Sequence, residues 1–416
     1  MELSIGNHII SAFNNVTVNL SFDSVADTFE MQVNFDPYNP THRKIFKPGM
    51  LYPCTLKHGG VLIMVGTLMI SKFSTSAVPT LTTIAGYSKT GVLEDCPVVT
   101  EPLESNNLTF KQICERVTAH YGIAVAVDNE VSEACNKVLP RSVPKPDQSV
   151  KSYLDDIAKQ LNVVLSHTTG GNLYLTRVKS DKLLTTKRTL VRRDVTPLDG
   201  SIEGAPDSIA VKTTTEMVKR NVLYNFRDGD AKAIEMSLSF DAQKMHSDVM
   251  VLAQSGEDSP NGPESIAINP YIYTAPADPA PIAITKPVSF TEEIDGAPIS
   301  PVQIPPKSNR GPRPRTAIQT KGDDNTAPLT ARAIVGDELK SMVLTIKVVG
   351  WTLSGHLITP NQMITVTNPG IYCYNESKWF IQAVTLTIDE TYPVAVLTCV
   401  VPECYNNDDV KNIFNR

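Results

Sequence analysis

The sequence predicts a β-rich α+β protein: two antiparallel β units, a small α/β insert domain between them, and a long proline-rich arm. Three observations predict it. Apolar residues alternate with period two through residues 1–100 and again through 331–405. Two amphipathic helical stretches stand together between residues 101 and 181. Fourteen of the thirty prolines fall between Ser255 and Pro328, too many for central strands, because proline cannot donate to a β-ladder.

The first unit is read from its alternation. VTVNLSF puts Val16, Val18, Leu20 and Phe22 on one face, and FEMQVNF does the same with Phe29, Met31, Val33 and Phe35. Such a pattern means one buried and one solvated face. YPCTLKHGGVLIMVGTLMISKF carries Gly59-Gly60 between apolar runs, a hairpin signal, and TLTTIAGY adds a further strand. Residues 1–100 therefore read as a barrel or a sandwich.

The insert, residues 101–181, changes period. In LTFKQICERVTAHYG, residues Phe110, Ile113, Cys114, Val117 and Tyr121 recur at helical spacing. Thr109 with Gln112 makes a capping box, and Gly122 a stop. SVKSYLDDIAKQLN repeats the design, with Ser149 as N-cap and an apolar stripe of Val150, Tyr153, Leu154, Ile157, Ala158 and Leu161. Each helix leads into a strand, IAVAVD and VVLSHTTGGNLYLTRV, the latter turning at Gly170-Gly171.

Residues 182–254 return to β pattern in SIAVKTT, VLYNF and AIEMSLSF. Residues 255–330 read as an extended arm or long loop, ordered by a partner surface rather than by a core of its own. In 331–405 the runs MVLTIKVVGW, MITVTN, IYCYNESKWFIQAVTLTID and VAVLTCVV are strands, with a hairpin turn expected at Asn375-Glu376-Ser377 and Trp379 on the returning strand. Residues 182–254 and 331–405 are expected to close into one barrel across the arm, leaving 406–416 as a C-terminal tail.

At 416 residues the chain is long enough for several domains. Its 41% hydrophobic and 20% charged residues are those of a soluble globular protein, and a net charge of −6 argues against a dedicated nucleic-acid binder. MELSIGNHII places no basic segment ahead of an apolar run, so no secretory leader is expected, and no stretch is long and apolar enough for a membrane helix. The seven cysteines (Cys54, Cys96, Cys114, Cys135, Cys373, Cys399, Cys404) are odd in number and form no C-x-x-C pair. They read as buried, reduced thiols.

GYSKTGVLEDC, Gly86 to Cys96, is the densest concentration of reactive side chains. As a phosphate loop it fails, because Lys89 precedes Gly91 rather than following the second glycine, and no long helix follows. Cys96 has no evident base: His8, His42, His58, His120, His167, His246 and His356 form no motif that points to one. Glu94 and Asp95 read as solvated or capping acids. Asp155 and Asp156 fall on the polar side of the second helix. The acidic turns GEDSPNG and KGDDN lack the calcium-loop pattern. Arg192-Arg193 and Arg310, Arg313 and Arg315 read as solvated or inter-subunit charge, and Trp351 as a core or interface aromatic. No catalytic, cofactor-binding or metal-ligating residue is assigned, and no enzyme is expected. A soluble, modular, β-rich chain with an arm fits an assembly protein.

The order of these landmarks resembles the baseplate hub proteins of contractile-tailed bacteriophages, the phage Mu (gpP-like) hub family. AGYSKTGVLEDCPVV is similar to the family's segment after the first barrel, with Ser88 where aspartate is frequent. LTFKQICERVTAHYGIAVAVD and SVKSYLDDIAKQLNVVLSHTTGGNLYLTR resemble its two helix–strand units, and IEMSLSFDAQKMHSDVMVLAQ a strand–loop–strand of its second barrel. RPRTAIQ, ARAIV and VVGWTLSGHLITPNQMITV resemble the arm and a following strand pair. The chain departs from the family at Ile358-Thr359, which lack the tryptophan before Pro360, and in a longer arm.

The resemblance implies two antiparallel barrels of the tail-tube type. It implies a non-enzymatic homotrimeric ring, pseudo-sixfold, that adapts the sixfold tail tube to a threefold central spike and forms part of the DNA channel. The implied partners are two further copies of the chain, the spike, tube or tube-initiator proteins, other baseplate wedge proteins and DNA in transit, with no stable membrane association. The implied location is the virion baseplate, assembled in the host bacterial cytoplasm. The hub of a related contractile injection machine remains an alternative, as do a tail-tip peptidoglycan hydrolase and a carbohydrate-binding adhesin.

Overall fold

The computed structural model describes residues 1–74, 81–178, 182–192, 209–218, 222–253, 264–272, 312–319, 327–388, 392–406 and 408–415. The first unit comprises β1 (Glu2–Ile5), β2 (His8–Ile10), β3 (Asn15–Ser21), β4 (Thr28–Asn34), α1 (Pro40–Ile45), β5 (Tyr52–His58), β6 (Val61–Ser74) and β7 (Leu81–Ser88). The alternation selects the buried face as expected: Val16, Val18, Leu20, Phe29, Met31 and Val33 are all buried. Gly59 and Gly60 both take left-handed backbone, φ +55° and +81°, which a two-residue turn between β5 and β6 requires. Helix α1 had no counterpart in the sequence reading. It is started by Asn39, whose side chain accepts from the amides of Thr41 and His42, with Pro40 in the first turn.

The insert follows as α2 (Val92–Asp95), β8 (Ser105–Thr109), α3 (Phe110–Ala119), β9 (Val125–Val127), α4 (Ser132–Cys135), β10 (Val138–Ser142), α5 (Val150–Leu161), β11 (Val164–His167) and β12 (Leu173–Thr176). The capping box forms in both directions: the Gln112 amide donates to Thr109 Oγ1 at 3.2 Å, and the Thr109 amide donates to Gln112 Oε1 at 2.9 Å. Gly122 stops α3 with φ +63°, and Ser149 caps α5. Strand β12 pairs antiparallel with β11 and parallel with β9. Phe110, Ile113, Leu154, Leu173 and their neighbours make a core separate from that of the rest of the chain.

Next come β13 (Lys182–Arg192) and β14 (Ile209–Val218), an antiparallel pair on its own. They are followed by β15 (Val222–Arg227), β16 (Ala233–Phe240), β17 (Asp248–Ala253), β18 (Glu264–Ile268), β19 (Pro314–Gln319) and α6 (Ala327–Leu339). The chain ends with β20 (Met342–Val349), β21 (Thr352–Leu353), β22 (His356–Leu357), β23 (Met363–Asn368), β24 (Cys373–Ile388), β25 (Pro393–Val400) and α7 (Glu403–Asn406). Most of the proline-rich arm lies outside the described residues. Its described margins contribute β18 and β19, which flank β17 as edge strands. Pro314 opens β19, a position at an edge where a missing amide costs no ladder bond.

Three expectations are corrected. Most of the strands assigned to two barrels form one sheet, in the order β16-β20-β25-β24-β3-β4-β7-β6-β5-β1-β2, with β23 on β24 and β15 on β23, while β13–β14, β17 and β21–β22 lie outside it. No closed barrel forms among the described strands. The union is made by β24, sixteen residues long, which changes partner along one edge. Its first half pairs with β23 and its second half with β3, the exchange falling at Ile381–Gln382. A bulge between Ile381 and Ala383 in the pairing with β25 marks the same place and bends the strand there.

Second, no turn occurs at Asn375-Glu376-Ser377. β24 runs straight through it, and the reversal comes earlier at Pro369–Ile371 with Tyr372 in left-handed backbone, φ +66°. Ser377 is buried and its hydroxyl donates to the Val366 carbonyl while accepting from the Trp379 indole. Third, α6 lies partly in a segment read as strand. Gly336 hides it in the sequence, yet a Cβ there would come within 3.1 Å of the Cys404 carbonyl, so the glycine lets α7 pack close.

Candidate functional site

The chemistry-bearing side chains gather where the β3–β4 connection, Phe22 to Asp27, meets the insert and the end of α6. Two aspartates in this connection look in different directions. Asp23 faces the C-terminal elements: Tyr405 Oη donates to it at 2.5 Å, Gln382 Nε2 at 3.0 Å and Ser21 Oγ at 3.1 Å. Lys340 Nζ stands 3.6 Å from the same carboxylate, 3.0 Å from Asp337, and 4.4 Å over the Tyr405 ring. Burial pushes the Asp23 carboxyl up, but the Tyr405 hydrogen bond, the Lys340 charge and the Gln382 and Ser21 donors outweigh it and hold the group below the usual carboxylate range. The same burial and the facing carboxylate drive the Tyr405 phenol well up.

Asp27 faces the insert. Its Oδ1 accepts from the Ser21 amide at 2.9 Å, and its Oδ2 meets His167 Nε2 at 2.8 Å, the two side chains being 9% and 5% exposed. His167 Nδ1 lies 2.9 Å from the Ser24 carbonyl. Burial alone would lower the His167 pKa; the Asp27 carboxylate and the Ser24 carbonyl raise it above its ordinary value. Between the aspartates, Val25 is buried in the insert's core.

The segment Gly86–Cys96 borders this junction. Neither Gly86 nor Gly91 has positive φ; each is needed for close approach. A Cβ on Gly86 would lie 2.2 Å from the Thr67 carbonyl oxygen and 2.9 Å from the Phe29 ring, and one on Gly91 2.4 Å from the Tyr87 ring. Leu93 is fully buried in the insert's core. Glu94 pairs with Lys151 in the first turn of α5 at 2.6 Å. Asp95 hydrogen-bonds Tyr87, whose phenol burial and that carboxylate push up to about 12. Lys89 Nζ donates to the Gly122 carbonyl at 2.7 Å, tying the exit to the end of α3.

The remaining candidates are dispersed. Six cysteines are buried and Cys96 is half-buried; all seven are free thiols. Burial raises Cys54 to about 12 and Cys135 to about 11, which keeps them protonated and unreactive. His120 packs edge-on to Tyr121, His42 Nδ1 accepts from the Asp36 amide, and His58 packs edge-on to Trp351 at 4.8 Å. Trp351 is a core residue, its indole donating to the Val394 carbonyl at 3.0 Å. Asp155 is partly buried, which raises its pKa, while Asp156 is exposed and accepts from Gln148. Arg313 donates to the carbonyls of Ala242 and Gln243, and Arg315 to Glu338 at 2.7 Å. The Arg192 side chain, Arg193, Arg310 and both acidic turns of the arm lie outside the described residues.

A cleft of about 490 Å³ is lined by Lys244, Arg315, Ile334, Asp337, Glu338, Lys340 and Ser341. Its cations are matched within the chain: Lys244 by Asp241 at 3.3 Å, Arg315 by the buried Glu338, Lys340 by Asp337. Among the described residues no group of three His, Cys, Asp or Glu side chains could hold a metal ion. No helix of the described residues is long and apolar enough to cross a membrane. The arrangement ties chain segments together; it does not align a nucleophile with a base. Sequence reading passed over Asp23 and Asp27, whose one local signal is an apolar Val25 in an otherwise polar turn.

Residues 90–177 match the family described as baseplate hub protein gp44-like, second domain, the same stretch that carries the separate insert core. The baseplate hub protein gp44 of Escherichia phage Mu is 26% identical over 180 residues, 43% of this chain and 46% of that protein. The match thus spans under half the length of this curated relative. The 43 kDa tail protein of prophage MuSo2 from Shewanella oneidensis has the same fold, with a TM-score of 0.67 at 17% identity over 97% of this chain and 99% of that one. The tail protein from Neisseria meningitidis MC58 gives 0.67 at 14% identity over 98% of each chain. Residues 90–177 are thus similar to the second domain of gp44-like baseplate hub proteins, set into a fold shared with phage tail proteins.

Proposed function

We propose that the chain is a structural hub of a contractile phage tail baseplate and acts as a homotrimeric ring. The observation that carries this reading is the hub-family insert seated between two β units that share one sheet. Each chain then supplies two wall segments, and three chains supply six, which meets a sixfold tube on one side and a threefold spike on the other. Heterologous contacts of this kind repeat until the ring closes. Strands β3, β4 and β7 bury one face and leave the other toward solvent, as walls with a core side and a lumen or outer side do. A net charge of −6 suits a channel through which DNA passes without being held, since phosphates are not neutralised. The partners in this reading are two further copies, the central spike, the tube or its initiator and the wedge proteins. The place is the virion baseplate, and the role involves no catalysis.

The mass of the full chain in solution tests it, alone and mixed with a candidate spike protein. A trimer that binds one spike trimer is expected. A monodisperse monomer at assembly concentration, with no spike complex, would sink the reading.

A further inference from the structure

The insert meets the main sheet through polar groups and a few valines, Val25 in its own core and Val164 and Val178 in the main one. Of the fully buried residues in its core, Val25 is the one supplied by the main sheet. Interfaces that are small and polar leave domains free to move unless a specific contact fixes them. Here that contact centres on His167, at the end of β11 in the insert's hairpin. The Val65 amide of β6 donates to the Thr169 carbonyl in the same hairpin turn at 3.0 Å.

Both ring nitrogens of His167 face acceptors, the Ser24 carbonyl at Nδ1 and the Asp27 carboxylate at Nε2. Asp27 Oδ1 accepts the Ser21 amide, which leaves Oδ2 to His167. With Asp27 ionised both partners only accept, so each nitrogen then carries a hydrogen and the ring is an imidazolium. A neutral ring would set a lone pair against one of these oxygens in a site almost closed to water. The charged groups around it favour the cation or are spoken for. The β3–β4 connection contributes Asp27, and α2 contributes Glu94, whose charge also raises the His167 pKa. From α5, Lys151 is taken by Glu94, and Lys89, whose stem lies against Gly171, reaches away to the Gly122 carbonyl.

We propose that His167 is a proton-operated latch between insert and main sheet, closed while the ring carries both hydrogens and released when one passes to water. Because the closed-state pKa is raised, the latch's contribution is complete below the pKa of a free imidazole. It is lost as pH rises through the closed-state value. The inference stands on the junction alone and does not require the trimeric reading.

The test reads the full chain labelled with 15N-histidine from about pH 6 to about pH 9, together with hydrogen exchange corrected for intrinsic pH dependence. At about pH 6.5, both His167 ring nitrogens are expected to show the protonated signature. Above that pH, junction peptides containing Val65 and Ser88 are expected to open about tenfold more per pH unit until the ring's own midpoint is reached. Peptides from β20 and β25 serve as controls and keep a flat profile. His167→Gln removes the slope, and Asp27→Asn moves the ring's midpoint down. A neutral ring at about pH 6.5 overturns the proposal without any variant. So does a junction profile parallel to the controls, or a His167→Gln protein that keeps the wild-type slope.

Discussion

The main sheet and the insert are stabilised in opposite ways. The two β units share one apolar core, in which Leu3, Val18 and Phe29 from the first stand with Leu344, Trp379 and Leu397 from the second. Neither unit can be removed without exposing the other. The insert buries most of its apolar residues within itself and meets the sheet through the His167–Asp27 contact, a few hydrogen bonds and a few valines, Val25 in its own core and Val164 and Val178 in the main one. Damage to the shared core should therefore spread across both β units, while damage to the insert should stay local. A chain built this way joins one continuous sheet to a domain with a core of its own.

Four substitutions break or sharpen that contrast. The largest effect is expected from Trp379→Ala, which empties a fully buried site on the strand common to both units. A loss of about 3–5 kcal/mol is expected, with chemical denaturation showing both β units failing in one transition. Survival of the first unit on its own would undo the comparison. Leu154→Ala in α5, also fully buried, should cost about 2–5 kcal/mol but confine it to residues 90–177. Hydrogen exchange should rise in α3 and α5 and stay unchanged in β20 and β25. Gly86→Ala forces a methyl against the Thr67 carbonyl and the Phe29 ring. A loss of about 1–3 kcal/mol is expected, seen as a lower denaturation midpoint with an unchanged slope.

The smallest effect concerns acid. The Asp23 pKa is depressed in the fold, so its contribution is present above the ordinary carboxylate value and is lost as pH falls through the lower folded one. Asp23→Asn should flatten this part of the acid limb in a stability–pH profile and leave the alkaline side as it was. An unchanged acid limb would show that the network around Tyr405 and Lys340 does not hold the two halves together.

What could be read from the sequence was local. The Thr109–Gln112 box, the Ser149 cap and the Gly59-Gly60 turn depend on neighbours within a few residues, and all stand as read. Strand faces were legible because alternation reports burial directly. The Asn375 turn was misread because Asn and Ser favour turns, whereas tertiary packing drew Ser377 inward to serve the Trp379 indole. Helix α6 was missed because Gly336 answers to α7 rather than to helix propensity. The union of the two β units depends on β3 meeting β24, and the latch on Asp27 meeting His167. Both pairings join residues far apart in the chain, and neither leaves a trace in local periodicity.

The partner exchange along β24 also sets an order of events during synthesis. β3 emerges from the ribosome early, and its open edge must wait for Ala383 to Ile388 before it is paired. Until then a seven-residue strand with one apolar face and an unpaired edge stands open beside a nearly complete first unit. Such edges recruit other strands, including those of sister chains on the same message. Slowing translation ahead of residue 383, or shielding the nascent chain with a chaperone, would thus bear on yield more than any change to the first unit itself.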